Sequence, residues 1–371
     1  MGNFVIKCIN HGDYQLLQGM QVCQPPATRI AALGVHLPER VVDNEAVARM
    51  VEAPREIAAR LPSLIARITG CQTRRYVPPG TSPSDLAMAA VQQLVERSGI
   101  PLETVDTMIF ASTDMDTLEP ATANIVQEKL GVRLINSFDV TNACNSFLQA
   151  MNLTNSLIAA GGAERVLICS GEIGSYVCNR KVESFADLDI KLGGLTLGDA
   201  GAAMIIERSD GHSGLTEINL KNVGEHWELC HVPETTNWRK RPDGHIHGWF
   251  YMKMSKLAVI AREMTQAYFD EYRSYRRQAF GEDDVFQTVD HVVPHQISRR
   301  FIEWIARGVS SRSLPKLALT AHLYGNTAST AIPLALDMLI QDGRTRLGSG
   351  HQALFYGAAS GFSIGHVRVI L

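Results

Sequence analysis

Three features of this sequence predict an α/β fold, with helices covering a mostly parallel sheet. Strand-like apolar runs alternate with helix-like segments along most of the chain. Several runs, such as 108–111, are apolar without alternation, as strands buried on both faces are. Short patterns also recur at one spacing, because Ala111 and His295 lie 184 positions apart and so do Asn142 and Asn326. Two matching offsets suggest a duplicated body, residues 28–210 and 211–371, preceded by an appended arm over 1–27.

The elements follow in order. The arm lacks useful periodicity and ends in Pro25-Pro26. An apolar strand covers 29–34, a helix over 44–51 takes Asp43 as its N-cap, and a further apolar segment covers 64–69. A better helix begins at Ser84, with Leu86, Ala90, Val91, Leu94 and Val95 on one face and Gly99 past its end. A strand at 108–111, a helix at 123–130, a strand at 138–141, a helix at 145–160 and a strand at 166–170 come next. In the second half a strand opens at Thr288 and ends at His295. Between the halves, residues 225–247 are polar, irregular and rich in His, and read as a surface loop or lid.

Composition excludes some functions. The 371 residues carry 35 Lys+Arg against 38 Asp+Glu, a formal net charge of −3. That balance, with no basic run, argues against a nucleic-acid groove and a polybasic membrane patch. No apolar run approaches the roughly 18 residues of a membrane span, and no secretory signal opens the sequence. The 7 cysteines form no CxxC pair and no framework, and read as free thiols of a reducing, cytoplasmic setting.

Cys144 directly follows an apolar strand and opens a helix. Unpaired N–H groups and the positive dipole end there favour a thiolate, which makes Cys144 a candidate nucleophile. A free cysteine also packs well as a small apolar residue. His295 ends an apolar strand, and Asn326, in Tyr324-Gly325-Asn326-Thr327, reads as another strand-to-helix turn. Strand ends on one side of a parallel sheet converge on a shared crevice, so the three residues can meet. The small-residue stretch 357–365 (GAASGFSIG) permits close approach of backbone N–H groups to a ligand, or is simply a tight turn.

The sequence resembles the β-ketoacyl-acyl-carrier-protein synthase III family of the thiolase superfamily. The resemblance runs from Thr28 to Leu371 through six stretches in family order: 37–42 (LPERVV), 139–144 (DVTNAC), 198–203 (GDAGAA), 294–296 (PHQ), 325–327 (GNT) and the 357–365 turn. It implies a thiolase-like fold of five layers, αβαβα, built from two duplicated βαβαβαββ halves, and usually a homodimer. It also implies roles. Cys144 takes an acyl group from a pantetheine thioester of CoA or acyl carrier protein. The N–H groups of Cys144 and Ser360 hold the tetrahedral oxyanion. His295 and Asn326 bind the carbonyl of a second acyl thioester, and a Claisen condensation joins the two without metal or redox cofactor. Lys191 and Phe362 fall at substrate-contacting positions. Initiating enzymes clamp adenine with a Trp and an Arg, where this chain has Leu64 and Lys191.

Glu119, in Leu118-Glu119-Pro120, resembles the branch that joins two acyl chains: olefin-pathway thiolases and stand-alone pyrone- or resorcinol-forming ketosynthases. There the glutamate reaches into the partner subunit's site as a base, which points to secondary metabolism. Without the resemblance Glu119 is a surface acid beside a helix start. Acyl transfer to an oxygen or nitrogen acceptor, without C–C bond formation, uses the same Cys-His-Asn trio. A papain-like hydrolase lacks support around Cys144, and non-catalytic partner subunits tend to lose the trio. His226, Cys230, His231, His245 and His247 do not reproduce the spacing of a zinc site. Arg273, Arg276 and Arg277 share a helix face, read as solvated or as a carrier contact.

Overall fold

The computed structural model describes residues 15–233 and 248–371. Its elements through the first sheet are β1 (Gln21–Val22), β2 (Thr28–His36), β3 (Arg40–Asp43), α1 (Asn44–Met50), α2 (Arg55–Thr69), β4 (Thr73–Tyr76), α3 (Pro83–Ser98) and β5 (Thr107–Ala111). Then come α4 (Thr122–Leu130), β6 (Asn136–Val140), α5 (Ser146–Ala159), β7 (Arg165–Ile173), α6 (Gly174–Val177), α7 (Leu188–Lys191) and β8 (Asp199–Arg208). The remainder comprises β9 (Gly214–Asn222), β10 (Cys230–His231), β11 (Tyr251–Met252), α8 (Met254–Phe280), β12 (His291–Pro294), α9 (Arg299–Val309), α10 (Ala321–Tyr324), α11 (Ala331–Gln341), β13 (Gln352–Ala359) and β14 (Ser363–Ile370).

Local signals account for the boundaries. Asp43 caps α1 by accepting the Ala46 N–H at 2.7 Å. Ser82 and Asp85 form a capping box at the start of α3, and Gly99 ends it in the left-handed conformation. The 64–69 segment is the last part of α2, whose earlier turns carry Pro62 and so look interrupted in sequence.

Two five-stranded sheets carry the fold, in the orders β2-β8-β7-β5-β6 and β1-β9-β14-β13-β12. Strand directions repeat as well as order. With the arm strand β1 set aside, in each sheet two antiparallel pairings precede a parallel one, β7 with β5 and β13 with β12. The place of β6 is taken in the second sheet by a single parallel bridge, Val292 to Leu317. Helices α5 and α11 lie between the sheets, sharing one apolar core with Ile109, Ile168, Val293, Phe355 and Val367. Outside, α3 covers β2, β7 and β8, while α8 and α9 cover the second sheet. The result is five layers, αβαβα.

The described part of the arm is seated on the second sheet. Gln21 and Val22 pair antiparallel with Ile218 and Glu217, and the Leu16 and Leu17 N–H groups donate to Glu271 at 2.9 and 2.8 Å. A two-residue strand is too short for periodicity to reveal. Among the described residues no helix is long and apolar enough to cross a membrane.

Candidate active site

β6 leads into a sharp turn, Asn142-Ala143-Cys144, and then α5. Ala143 adopts φ 48°, a left-handed conformation that turns the chain from strand to helix within one residue. Ser146 secures the turn by accepting the Asn142 N–H at 2.8 Å and donating to the Ala143 carbonyl at 2.6 Å. Asn145 Nδ2 donates to Ser363 Oγ at 2.9 Å, which joins the turn to β14. Gly357 of β13 runs beneath it, where a Cβ would stand 1.8 Å from Asn145 Oδ1, so only glycine fits.

His295 follows β12, its own N–H bonded to the Tyr356 carbonyl at 2.7 Å. Next to it Gln296 bridges to the 318–321 segment, donating to the Ala318 carbonyl at 2.8 Å and accepting from Thr320 and Ala321. Asn326 lies against the 196–198 segment through two backbone hydrogen bonds of 2.9 Å. Its Oδ1 accepts the Ala328 N–H at 2.9 Å, which fixes the amide and leaves its NH2 group as the donor.

These elements enclose a cavity of about 340 Å³ lined by Cys144, His295, Asn326 and Ser360 together. Glu119, Lys191 and Phe362 do not line it. Glu119 is exposed beside Leu118, itself 67% exposed, on the loop after β5. Lys191 is held away by the Lys181 carbonyl at 2.7 Å and Asp187 at 3.1 Å. Phe362 packs in the outer apolar core of the second half, its backbone paired with Val223. Leu64 is a partly buried member of the cluster around α1 and α2.

The electrostatics differ from the sequence expectation at Cys144. Burial pushes its thiol well above the ordinary range, and Cys230 and Glu172 push the same way. The helix N-terminus does not overcome this. Burial lowers His295 to about 4, opposed by the Ala328 backbone, so the ring is neutral near pH 7. His295 is only 3% exposed, and neither ring nitrogen has a hydrogen-bond partner.

Several lining residues carried no signal in sequence. Asp114 and Glu172 both face the cavity. Glu172 accepts the Thr113 N–H at 2.9 Å as well as the Thr113 and Ser329 hydroxyls. Cys230, His231 and Val232 form another part of the wall, so the start of the 225–247 segment is cavity lining rather than surface loop. His245 and His247 lie outside the described residues, and no cluster of metal-ligating side chains occurs among those described. Arg276 is 5% exposed and paired with Glu217 and Glu282, which corrects its reading as a solvated or carrier-facing residue.

A second, largely apolar cavity of about 400 Å³ opens beside the first, between Ile68, Asp189, Ala258, Arg300, Phe301 and Trp304. Met252, Leu257 and Ile297 line both cavities and so form the wall between this one and the cavity that holds Cys144.

Comparison with known proteins agrees with this architecture. Residues 138–224 match the family model of 3-oxoacyl-[acyl-carrier-protein] synthase III, and residues 286–369 match the model of its C-terminal part. The β-ketoacyl-[acyl-carrier-protein] synthase III of Laribacter hongkongensis is 30% identical over 345 residues, 92% of this chain and 98% of that relative. The enzyme of the same name from Methylococcus capsulatus is 29% identical over 338 residues, 91% of this chain and 97% of that relative. A crystal structure of substituted OleA from Xanthomonas campestris superposes with a TM-score of 0.80 at 21% identity, covering 95% of this chain and 100% of that one. FabH from Pseudomonas aeruginosa gives 0.79 at 24% identity, covering 93% and 98%. With a relative matched over nearly its full length and family models on both sides of the duplication, the chain belongs to the 3-oxoacyl-[acyl-carrier-protein] synthase III family of the thiolase superfamily, a family of condensing transferases.

Proposed function

We propose that this enzyme loads an acyl group from a pantetheine thioester of CoA or acyl carrier protein onto Cys144 and joins it by Claisen condensation to a second acyl thioester, in fatty-acid-derived secondary metabolism. The observation that carries this reading is the convergence of Cys144, His295, Asn326 and Ser360 on one cavity, next to an apolar cavity that shares Met252, Leu257 and Ile297 with it. An apolar space of that kind suits a pantetheine arm, whose carrier stays outside.

In this mechanism the Cys144 thiol gives up its proton to neutral His295 and attacks the donor carbonyl. The N–H groups of Cys144 and Ser360 receive the oxyanion, and the pantetheine thiolate leaves with the proton. A second thioester then enters. Its carbonyl oxygen accepts hydrogen bonds from the neutral His295 ring and the Asn326 NH2, which stabilise the enolate formed by decarboxylation or by α-proton removal. The enolate carbon attacks the acyl carbonyl, the C–C bond forms, and the Cys144 thiolate departs.

Glu119 fits the proton-removing role only across a homodimer, since in its own chain it is exposed and away from the cavity. A dimer is supported by β6, which pairs with β5 alone and leaves its other edge unpaired beside the nucleophile turn.

Intact-protein mass spectrometry with a panel of acyl thioesters tests the loading step. The expected result is an acyl adduct lost in Cys144→Ala; an adduct that persists there refutes the assignment. Product masses with labelled malonyl and acyl donors then separate decarboxylative condensation, non-decarboxylative condensation and transfer to an oxygen or nitrogen acceptor.

A further inference from the structure

We propose that Glu172 is a positioning residue for the condensation step: it grips Ser329 and thereby holds the turn that aims the Asn326 NH2 group into the cavity. The inference rests on the reading of Asn326 as a donor to the second thioester.

The turn around Asn326 repeats the turn that carries the nucleophile. Ala143 and Ala328 adopt φ 48° and 47°, and each lies three residues before a helix, α5 at Ser146 and α11 at Ala331. One hydrogen bond closes each turn in the same register, Asn145 N–H to the Asn142 carbonyl at 3.0 Å and Thr330 N–H to the Thr327 carbonyl at 3.1 Å. Ser329 therefore stands in the second half where Cys144 stands in the first. The two side chains have opposite fates. Cys144 lines the cavity, whereas Ser329 is 1% exposed and bonds to the first sheet.

That contact is built around Glu172, near the end of β7. Its carboxyl accepts the Ser329 hydroxyl at 2.5 Å and the Ser329 N–H at 3.4 Å, together with the Thr113 N–H at 2.9 Å and the Thr113 hydroxyl. With its proton committed to Glu172, the Ser329 hydroxyl accepts from Ser170 at 2.8 Å. Burial pushes the Glu172 carboxyl up, while the Ser329 and Thr113 donors favour its ionised form and oppose the rise.

From Ser329 the restraint passes back to Asn326. Alanine resists the left-handed conformation of Ala328, so the turn keeps it only while both sides are held. On one side Asn326 Oδ1 accepts the Ala328 N–H at 2.9 Å, and on the other Glu172 holds Ser329. The Ala328 N–H also orients the amide, so release of Ser329 lets the amide swing off the carbonyl it serves. The nucleophile turn is braced in the converse way, because Asn145 Nδ2 donates to Ser363 of β14 in the second sheet. Each half's turn is pinned by the other half's sheet, and loading and condensation depend on different pins.

The test separates the two steps. Loading of Cys144 from an acyl-CoA is followed by intact-protein mass spectrometry, and the acyl-enzyme is then mixed with malonyl-CoA or with more acyl-CoA to time product formation. Ser329→Ala and Glu172→Leu are expected to load no more slowly than the native enzyme and to condense about tenfold more slowly, the scale of loss that misplacing a reacting group brings. Loading at the native rate shows that either variant is folded. Glu172→Gln keeps an acceptor for Ser329 and can donate to the Thr113 hydroxyl, so it is expected to condense within about threefold of native. Adding Ser329→Ala to Asn326→Ala is expected to cost nothing further, since the serine acts through the amide. Native-like condensation by both Ser329→Ala and Glu172→Leu overturns the proposal. A Glu172→Gln variant as slow as Glu172→Leu overturns it too, because the carboxyl's charge or proton is then the active feature. Loss of loading together with condensation in both variants marks a general structural role and overturns it as well. Native-like condensation by Asn326→Ala, or no condensation by the native enzyme with either thioester, instead overturns the reading of Asn326 on which the proposal rests.

Discussion

Cys144 stands between two opposing fields. The N-terminus of α5 favours the thiolate, while enclosure, Cys230 and Glu172 favour the thiol, and the second group prevails in the resting enzyme. Alkylation of Cys144 by iodoacetamide should therefore accelerate roughly tenfold per pH unit across the neutral range and beyond, as the thiolate fraction does below a thiol's pKa. A rate that is flat above pH 6, measured by mass spectrometry, would instead indicate a preformed thiolate. Cys144 and His295 were legible because each follows an apolar run that ends a parallel strand, whereas Asn326, read as another strand-to-helix turn, is preceded by α10 and reaches the site from there. Asp114 and Glu172 were not legible, because an acid after Ser-Thr or within a strand has no pattern that separates a cavity wall from a solvated surface. The thiol's ionisation was misread for a related reason: sequence locates a helix end but does not measure the burial around it.

At the level of elements, strong periodicity and capping located α1, α3, α4 and α5 to within a residue or two. The 27-residue α8 was only glimpsed through its arginines. Spacing put Arg273, Arg276 and Arg277 together, yet only packing decides which of them meets the core. Arg276 joins α8 to β9 through Glu217 and also holds Glu282. Burial would raise the Glu217 carboxyl, but the His366 ring 3.8 Å away, the Tyr272 hydroxyl and the Arg276 guanidinium hold it down to about 2. Its folded value is depressed, so its contribution to stability is present above the ordinary carboxylate pKa of about 4.5 and is lost as pH falls toward 2. Arg276→Leu should destabilise the fold by about 3–5 kcal/mol, because a buried carboxylate loses its cation. The midpoint of urea unfolding measures this, and the deficit should narrow as acid neutralises Glu217.

For the whole molecule, the 184-residue echo corresponds to four strands in each sheet, β2-β8-β7-β5 and β9-β14-β13-β12, that match in order and direction. The sequence could not reveal what breaks the symmetry: only the first sheet has a full strand, β6, beyond its parallel pair, where the second has a single bridge. Asp139 of β6 accepts the Thr122 and Ala123 N–H groups, which ties the strand to the start of α4, shortly after Leu118 and Glu119. If Glu119 acts across the dimer, Glu119→Ala should load acyl groups normally but condense poorly. Mixing it with Cys144→Ala under conditions of subunit exchange should restore up to about a quarter of native condensation, since half the dimers regain one complete site in a two-fold assembly. No recovery on mixing, with exchange verified by mass, would rule out action across the dimer, and unimpaired condensation by Glu119→Ala alone would place Glu119 outside the chemistry.

Met252, Leu257 and Ile297, which face both cavities, also govern traffic in the proposed reaction. There the donor and acceptor arms reach Cys144 past the same three side chains, so the first thiol product must withdraw before the second thioester advances. The enzyme therefore works in turns. Its two substrates never occupy that approach together, and each in excess obstructs the other's entry. Throughput is then set by how quickly a spent carrier vacates the doorway at Trp304 as well as by bond formation.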